Sequence, residues 1–190
     1  MVLMAHPSKR KGDQGERDAV AWLSENAGSL CNVSKPQTTK AAGIPEDVGD
    51  LWFFREVSIQ VKVYKADAMP RALRDAAVGA SQQASNGGRP ICVGMVKVPL
   101  ARAGAVQWLA VSLERDWVGP EPVATFKMAS KAVEWVKDDI GPEGYLVHDR
   151  QARVCRLVAG GSEVLVISPM QAWLAGYAKH PERASSASGW

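Results

Sequence analysis

Residues 57–64, VSIQVKVY, alternate without a break: Val57, Ile59, Val61 and Val63 point one way, and Ser58, Gln60, Lys62 and Tyr64 the other. A period of two belongs to a β-strand, because successive side chains leave opposite faces of the pleat. The run therefore predicts a strand with one buried face and one polar face. It also sets Gln60 and Lys62 side by side on the polar face. The rest of the chain has to supply the layer that covers the β-branched side.

The flanking sequence suggests how. The stretch 51–54 (LWFF) is short and apolar, and Arg55-Glu56 reads as a turn, which predicts a hairpin whose first strand opens at Asp50. Upstream, Asp13 and Glu16 form a D-x-x-E capping pattern. Ala19, Val20, Leu23 and Ala27 follow at helical spacing, with Gly28 as the stop. Residues 1–12, with Lys9, Arg10 and Lys11, read as a flexible basic arm, and 34–49 as a loop rich in Thr, Pro and Gly. A second helix is predicted over 69–86, with Pro70 in its first turn and Asn86-Gly87-Gly88 ending it. ICVGMVKV after Pro90 has the near-continuous apolarity of an interior strand, and QWLAVSL at 107–113 is a further strand. This order predicts an α/β fold, with a mixed central β-sheet flanked by helices.

The C-terminal half is less regular. A helix is predicted at 131–140, strands at 145–158 and 163–167, and a closing helix at 170–179 after Pro169, while 182–190 has the composition of a disordered tail. Residues 13–113 then form a core, 114–163 a C-terminal extension or insertion, and 164–181 a closing strand and helix. Net charge is +3, and the basic excess lies in residues 1–111, which hold 14 Lys and Arg against 10 Asp and Glu. That balance permits a nucleic-acid partner without demonstrating one. Cys31, Cys92 and Cys155 are odd in number and widely spaced, which argues against a disulfide framework or a zinc site. The apolar run at the start is too short for a signal peptide, and no stretch reaches the length of a membrane span, so no membrane association is expected.

The residues able to do chemistry sit around the alternating strand. Hydrolysing a phosphodiester needs a positioned water, a divalent metal to offset phosphate charge, and help for the leaving oxygen. Asp50 at the head of one strand, with Gln60 and Lys62 two apart on the next, can reach one phosphate together. There is no glycine-rich phosphate loop, no G-x-S-x-G elbow and no suggestive Cys/His pair, which counts against other α/β enzymes.

The stretches KGDQGERDAVAWL, EDVGDLWFFREVSIQVK, the small-residue helix with Gln82-Gln83, and ICVGMVKV resemble, in this order, the PD-(D/E)xK nucleases. Within these they resemble the archaeal-type Holliday-junction resolvases and their phage relatives. The resemblance spans residues 9–111 and implies a restriction-endonuclease-like core. It further implies a homodimer acting on branched or four-way DNA with Mg2+ or Mn2+, in a bacterial cytoplasm and with a phage origin open. On that pattern Glu16 and Asp50 bind metal, and Gln60 stands as a third ligand where Glu or Asp is usual. Lys62 orients the attacking water or stabilises charge on the phosphate, and the main-chain carbonyl of Val61 faces the metal. Lys9, Arg10, Lys11, Lys65, Arg71 and Arg74 are the expected contacts to the DNA backbone.

Each residue also has a plainer reading. Glu16 can complete a capping box with Asp13, Asp50 can be a turn residue with Asp47 as the rival ligand, and Gln60 and Lys62 can be the solvent face of an edge strand. An amide at position 60 ligates a metal without adding charge, so a nuclease fold weakened to a DNA-binding module is one alternative function, and a nuclease acting on flaps or linear duplex is another. Trp22, Trp108, Trp135 and Trp173 fit core positions; Trp52, two residues from Asp50, is the candidate for base stacking.

Overall fold

A computed structural model describes residues 7–42, 48–63, 66–99, 106–138, 152–160 and 163–183. In chain order the elements are α1 (Pro7–Ala27), β1 (Gln37–Thr38), α2 (Thr39–Ala42), β2 (Leu51–Trp52), β3 (Val57–Val63) and α3 (Met69–Asn86). There follow β4 (Ile91–Pro99), β5 (Val106–Leu113), β6 (Ala124–Phe126), α4 (Ala129–Lys137), β7 (Cys155–Leu157), β8 (Leu165–Pro169) and α5 (Met170–Tyr177). The protein is α/β, with a six-stranded mixed sheet in the order β3-β4-β5-β8-β7-β6. β3 pairs in parallel with β4, and α3 makes the crossover between them. β4, β5, β8 and β7 then pair antiparallel in turn, and β7 pairs with β6 in parallel.

The sheet has a core on each face. Ala19, Leu23 and Ala27 of α1 and Met170, Trp173 and Tyr177 of α5 cover Val57, Ile59, Val61, Val93 and Met95. Met69, Ala72, Leu73 and Ala76 of α3, with Ala132, Val133 and Val136 of α4, cover the opposite face at Val96, Val111 and Ile167. The strands of the C-terminal extension, β6 and β7, belong to this same sheet. Among the described residues, no helix is long and apolar enough to cross a membrane.

Several expectations need correction. The first helix begins at Pro7, not Asp13, so Lys9, Arg10 and Lys11 lie in its first turns and not in a flexible arm. Proline is well suited to a first helical turn, and lysine and arginine propagate a helix readily. Asp13 and Glu16 are therefore interior helical residues, and their D-x-x-E spacing caps nothing. The 34–49 loop contains β1 and α2. β2 pairs antiparallel with β1 and not with β3, so the predicted hairpin is absent as regular pairing. The polar face of β3 is also covered: Ser58 is fully buried and Gln60 is 6% exposed. The small residues of α3 bring that helix close enough to enclose them; a Cβ at Gly79 would stand 3.0 Å from Gln60 Oε1. Residues 1–6, Asp47, Tyr64, Lys65, 139–151 and the 184–190 tail lie outside the described residues.

One polar cluster ties α5 to the sheet. The Glu56 carboxylate is 7% exposed. It accepts from Tyr177 Oη at 2.5 Å and from Asn32 Nδ2 at 2.7 Å. Burial, with the adjacent carboxylate, pushes the Tyr177 phenol far up, so it remains a donor. Tyr177→Phe takes one partner from a buried charge and is expected to cost about 1.5–3 kcal/mol in urea unfolding. An unchanged urea midpoint would show that Asn32 alone satisfies Glu56.

Candidate active site

The free edge of β3 carries the Asp50 and Gln60 positions of the sequence motif. Residues 48–50 run alongside this edge, with Asp50 N donating to Ile59 O at 2.7 Å. Gly49 permits the approach. Its φ is +114°, and a Cβ there would lie 2.8 Å from Ile59 N and 2.9 Å from Ile59 O. Gly49→Ala is thus expected to cost at least about 1–3 kcal/mol and to displace Asp50. Its check is a lower melting temperature together with lost response to added Mn2+. Thr39 fixes the other side of the segment, its N–H donating to Asp50 O at 3.0 Å and its hydroxyl to Gly49 O at 2.8 Å.

Held in this way, the Asp50 carboxylate reaches the strand edge. Its Oδ2 accepts from Val61 N at 2.7 Å and from the Gln60 amide nitrogen. A strand residue presents its N–H and C=O at the same edge, so the Val61 carbonyl lies on this side as well. Burial raises the Asp50 carboxyl above the ordinary carboxylate range; the Val61 N–H, Lys62, Lys40 and Gln60 pull it down without cancelling that rise. Glu16 reaches the same place from α1. Its carboxyl is also raised, by burial first and then by Asp50, with Lys40 opposing. Burial resists the ionisation of both carboxyls, and Asp50 adds to the effect on Glu16, an arrangement that a bound cation would relieve.

Of the four residues of the sequence motif, Asp50 and Gln60 are in contact, and Glu16 and Lys62 stand near enough to Asp50 to feel or alter its charge. Lys62 shares the face of Gln60 and is close enough to Asp50 to affect its ionisation. Gln60 differs from expectation in orientation: its amide nitrogen faces Asp50, and its oxygen faces Gly79. As placed, it is a donor to Asp50 and not an oxygen ligand beside it. Among the described residues no group of three His, Cys, Asp or Glu side chains forms a metal cage. A divalent ion would be held by Asp50 and Glu16, the Val61 carbonyl, water and, after an amide flip, Gln60 Oε1. Oxygen donors with water filling the remaining positions suit Mg2+ or Mn2+.

No family model, curated protein or solved structure matches this chain. The site has to be read from its own residues.

Of the expected DNA contacts, Lys65 and the side chains of Lys9, Arg10 and Lys11 lie outside the described residues, and Arg71 and Arg74 lie on α3. Arg71 pairs with Asp75 at 3.2 Å and Arg74 with Glu163 at 3.8 Å. Both line a separate cleft with Pro70, Ala129, Leu157 and Leu165, on the α3–α4 side. Lys97 is held by Asp18 of α1 at 2.6 Å. Burial acts to raise the Asp18 carboxyl, but hydrogen bonds from Lys97 and Gln14 hold it below its ordinary value. Trp108 and Trp173 are buried core residues. Trp52 is half-buried, with the Arg89 guanidinium 4.9 Å from its ring centroid.

Sequence reasoning missed Lys40. Its Nζ lies 3.7 Å from Asp13 and 3.7 Å from Glu16. It stands beside a cleft of about 630 Å3 between α1 and the 36–40 segment, lined by Asp13, Glu16, Arg17, Gln37, Thr38 and Lys40 among others. No spacing rule links position 40 to 16. The only local hint is that Lys40 follows a Thr-Thr pair in a segment read as loop.

Proposed function

We propose that this chain is a divalent-metal-dependent DNA endonuclease with a restriction-endonuclease-like core, and that four-way DNA junctions are its preferred substrate. The observation that carries the reading is the Asp50 carboxylate bonded to the free edge of β3 at Val61 N and to Gln60, with Lys62 of β3 and Glu16 of α1 near enough to interact with its charge. The sequence motif names these four positions, and they lie far apart in the chain. A chance D-x9-Q-x-K pattern gives no reason for a helical carboxylate to come within electrostatic reach of Asp50.

Each residue then has a task. Asp50 and Glu16 would hold the cation. A bound divalent ion would offset phosphate charge and make water a better nucleophile near neutral pH. Lys62 offers its ammonium to a phosphate oxygen or to the attacking water, on the face it shares with Gln60. Asp50 is itself oriented by the Val61 N–H and Gln60, so its second oxygen can be spent on the ion. Symmetrical cutting of a four-way junction calls for two such sites related by a twofold axis, hence a homodimer.

A second reading is favoured by the orientation of Gln60. An amide that donates to Asp50 relieves a buried carboxylate without any metal, as expected of a nuclease fold retained for DNA binding alone. One assay separates the two readings: end-labelled four-way junction, flap, linear duplex and single strand, each incubated with Mg2+, Mn2+ or EDTA. Paired cuts in the junction that vanish in EDTA are the expected result. Binding of the junction without cutting under either metal would overturn the catalytic reading in favour of the second.

A further inference from the structure

We propose that Lys40 is a metal-coupled phosphate ligand, occupied by Glu16 and Asp13 when the site is metal-free and turned to a DNA phosphate in the adjoining cleft when the metal binds. The inference rests on the nuclease reading above and concerns a residue outside the four-residue motif.

The placement of Lys40 is fixed at its root and free at its tip. Thr39, its neighbour, is bonded through N–H and hydroxyl to the main chain at Asp50 and Gly49, so the α2 backbone is tied to the metal-site segment. The Lys40 side chain is 71% exposed, while the Glu16 side chain it meets is only 13% exposed. An ammonium on a flexible stem thus serves as counter-ion to a shielded carboxylate. Both of its contacts are 3.7 Å, longer than a tight charge-assisted hydrogen bond of about 2.7–2.9 Å.

A divalent cation on Glu16 and Asp50 would change the balance. Of the two carboxylates that hold Lys40, Glu16 would then be engaged by the metal, a second positive charge would stand nearby, and only the more exposed Asp13 would remain to compete with a phosphate. Lys40 borders the cleft with Arg17, Gln37 and Thr38, opposite the carboxylates of Asp13 and Glu16, so metal on Glu16 would leave Asp13 as the acid facing two cations. The polyanion that approaches a metal-loaded nuclease site is the DNA backbone, and a released ammonium at the cleft's edge is suited to its phosphate. Metal-free protein would therefore bind DNA with one fewer phosphate contact, so metal loading and strand capture become linked.

The test uses the full chain and Lys40→Gln, with calcium, which favours oxygen ligands, in place of magnesium to hold DNA uncut. Titration calorimetry with Mn2+ alone gives the first readout: the variant is expected to bind several-fold more tightly, because no ammonium competes for Glu16. The second is the dependence of duplex affinity on salt. In Ca2+ the wild-type slope of log K against log[salt] should be steeper than the variant's by about 0.9, and in EDTA the two should agree. Lys40→Arg should keep the wild-type slope. Equal Mn2+ affinity in wild type and Lys40→Gln, or a slope difference that is the same in EDTA as in Ca2+, overturns the proposal. A wild-type protein that takes up no Mn2+ overturns the nuclease reading as well, and the wild-type titration alone reveals it.

Discussion

Asp50→Asn is expected to abolish metal-dependent cleavage while raising the melting temperature of the protein in EDTA. Asparagine keeps an oxygen to accept from Val61 N and Gln60, so the local bonds survive. What disappears is a shielded negative charge that the site holds above its ordinary pKa. A metal contributes several kcal/mol of transition-state stabilisation, and each 1.36 kcal/mol is tenfold in rate, so losing its central ligand should slow cleavage by about 10³-fold or more.

The pH dependence has a definite sign. A carboxyl whose folded pKa lies above its unfolded pKa gives stability that is full in acid and is lost as pH rises through the folded value. The thermal advantage of Asp50→Asn should therefore be present at neutral pH and vanish as pH falls towards the unperturbed 3.8. Cleavage by the wild type should run the other way. It needs Asp50 and Glu16 ionised, so it should fall away in acid at a pH above the range of exposed carboxylates. Scanning calorimetry in EDTA and initial rates in Mg2+ test the two halves separately. A variant that melts lower than wild type at neutral pH, or that cuts within tenfold of it, would count against this account of Asp50.

Gln60→Glu is the second substitution with a large expected effect, and it acts oppositely with and without metal. Position 60 is 6% exposed and its amide donates to Asp50. Glutamate there replaces the donor by a second carboxylate, and two such groups in contact cannot both ionise readily. The metal-free variant should melt several degrees below wild type, as a loss of about 1 kcal/mol implies for a chain of this length. Mn2+ should restore the loss and more, since affinity rises with ligand charge; a gain of about tenfold or greater is expected. If Mn2+ leaves the melting temperature of the variant unchanged, position 60 is not part of a metal site, and the DNA-binding reading gains.

Much of the fold was legible because it depends on local periodicity. The second helix was predicted over 69–86 and runs Met69–Asn86, since proline, a small-residue stripe and a Gly-Gly stop are all local signals. β3 and β4 were equally plain. The first helix was predicted too short, because a D-x-x-E spacing looks the same inside a helix as at its start. Gln60 was predicted to lie on a polar face, but strand alternation cannot reveal that a neighbouring helix with glycine at position 79 will cover it.

The same division holds at the site. By itself the sequence determined that Gln60 and Lys62 share a face, because a two-residue period leaves no alternative, and it placed Asp50 and Glu16 in order before them. Only the tertiary structure decided that Asp50 bonds to the free edge of β3, that Gln60 turns its amide nitrogen inward, and that Lys40 stands between Asp13 and Glu16. Those facts depend on a positive-φ glycine, a two-stranded ribbon between distant residues, and the close approach of α3. Periodicity along the chain fixes which way a side chain points; which charges then meet is set by contacts between segments remote in sequence, and no local pattern encodes them.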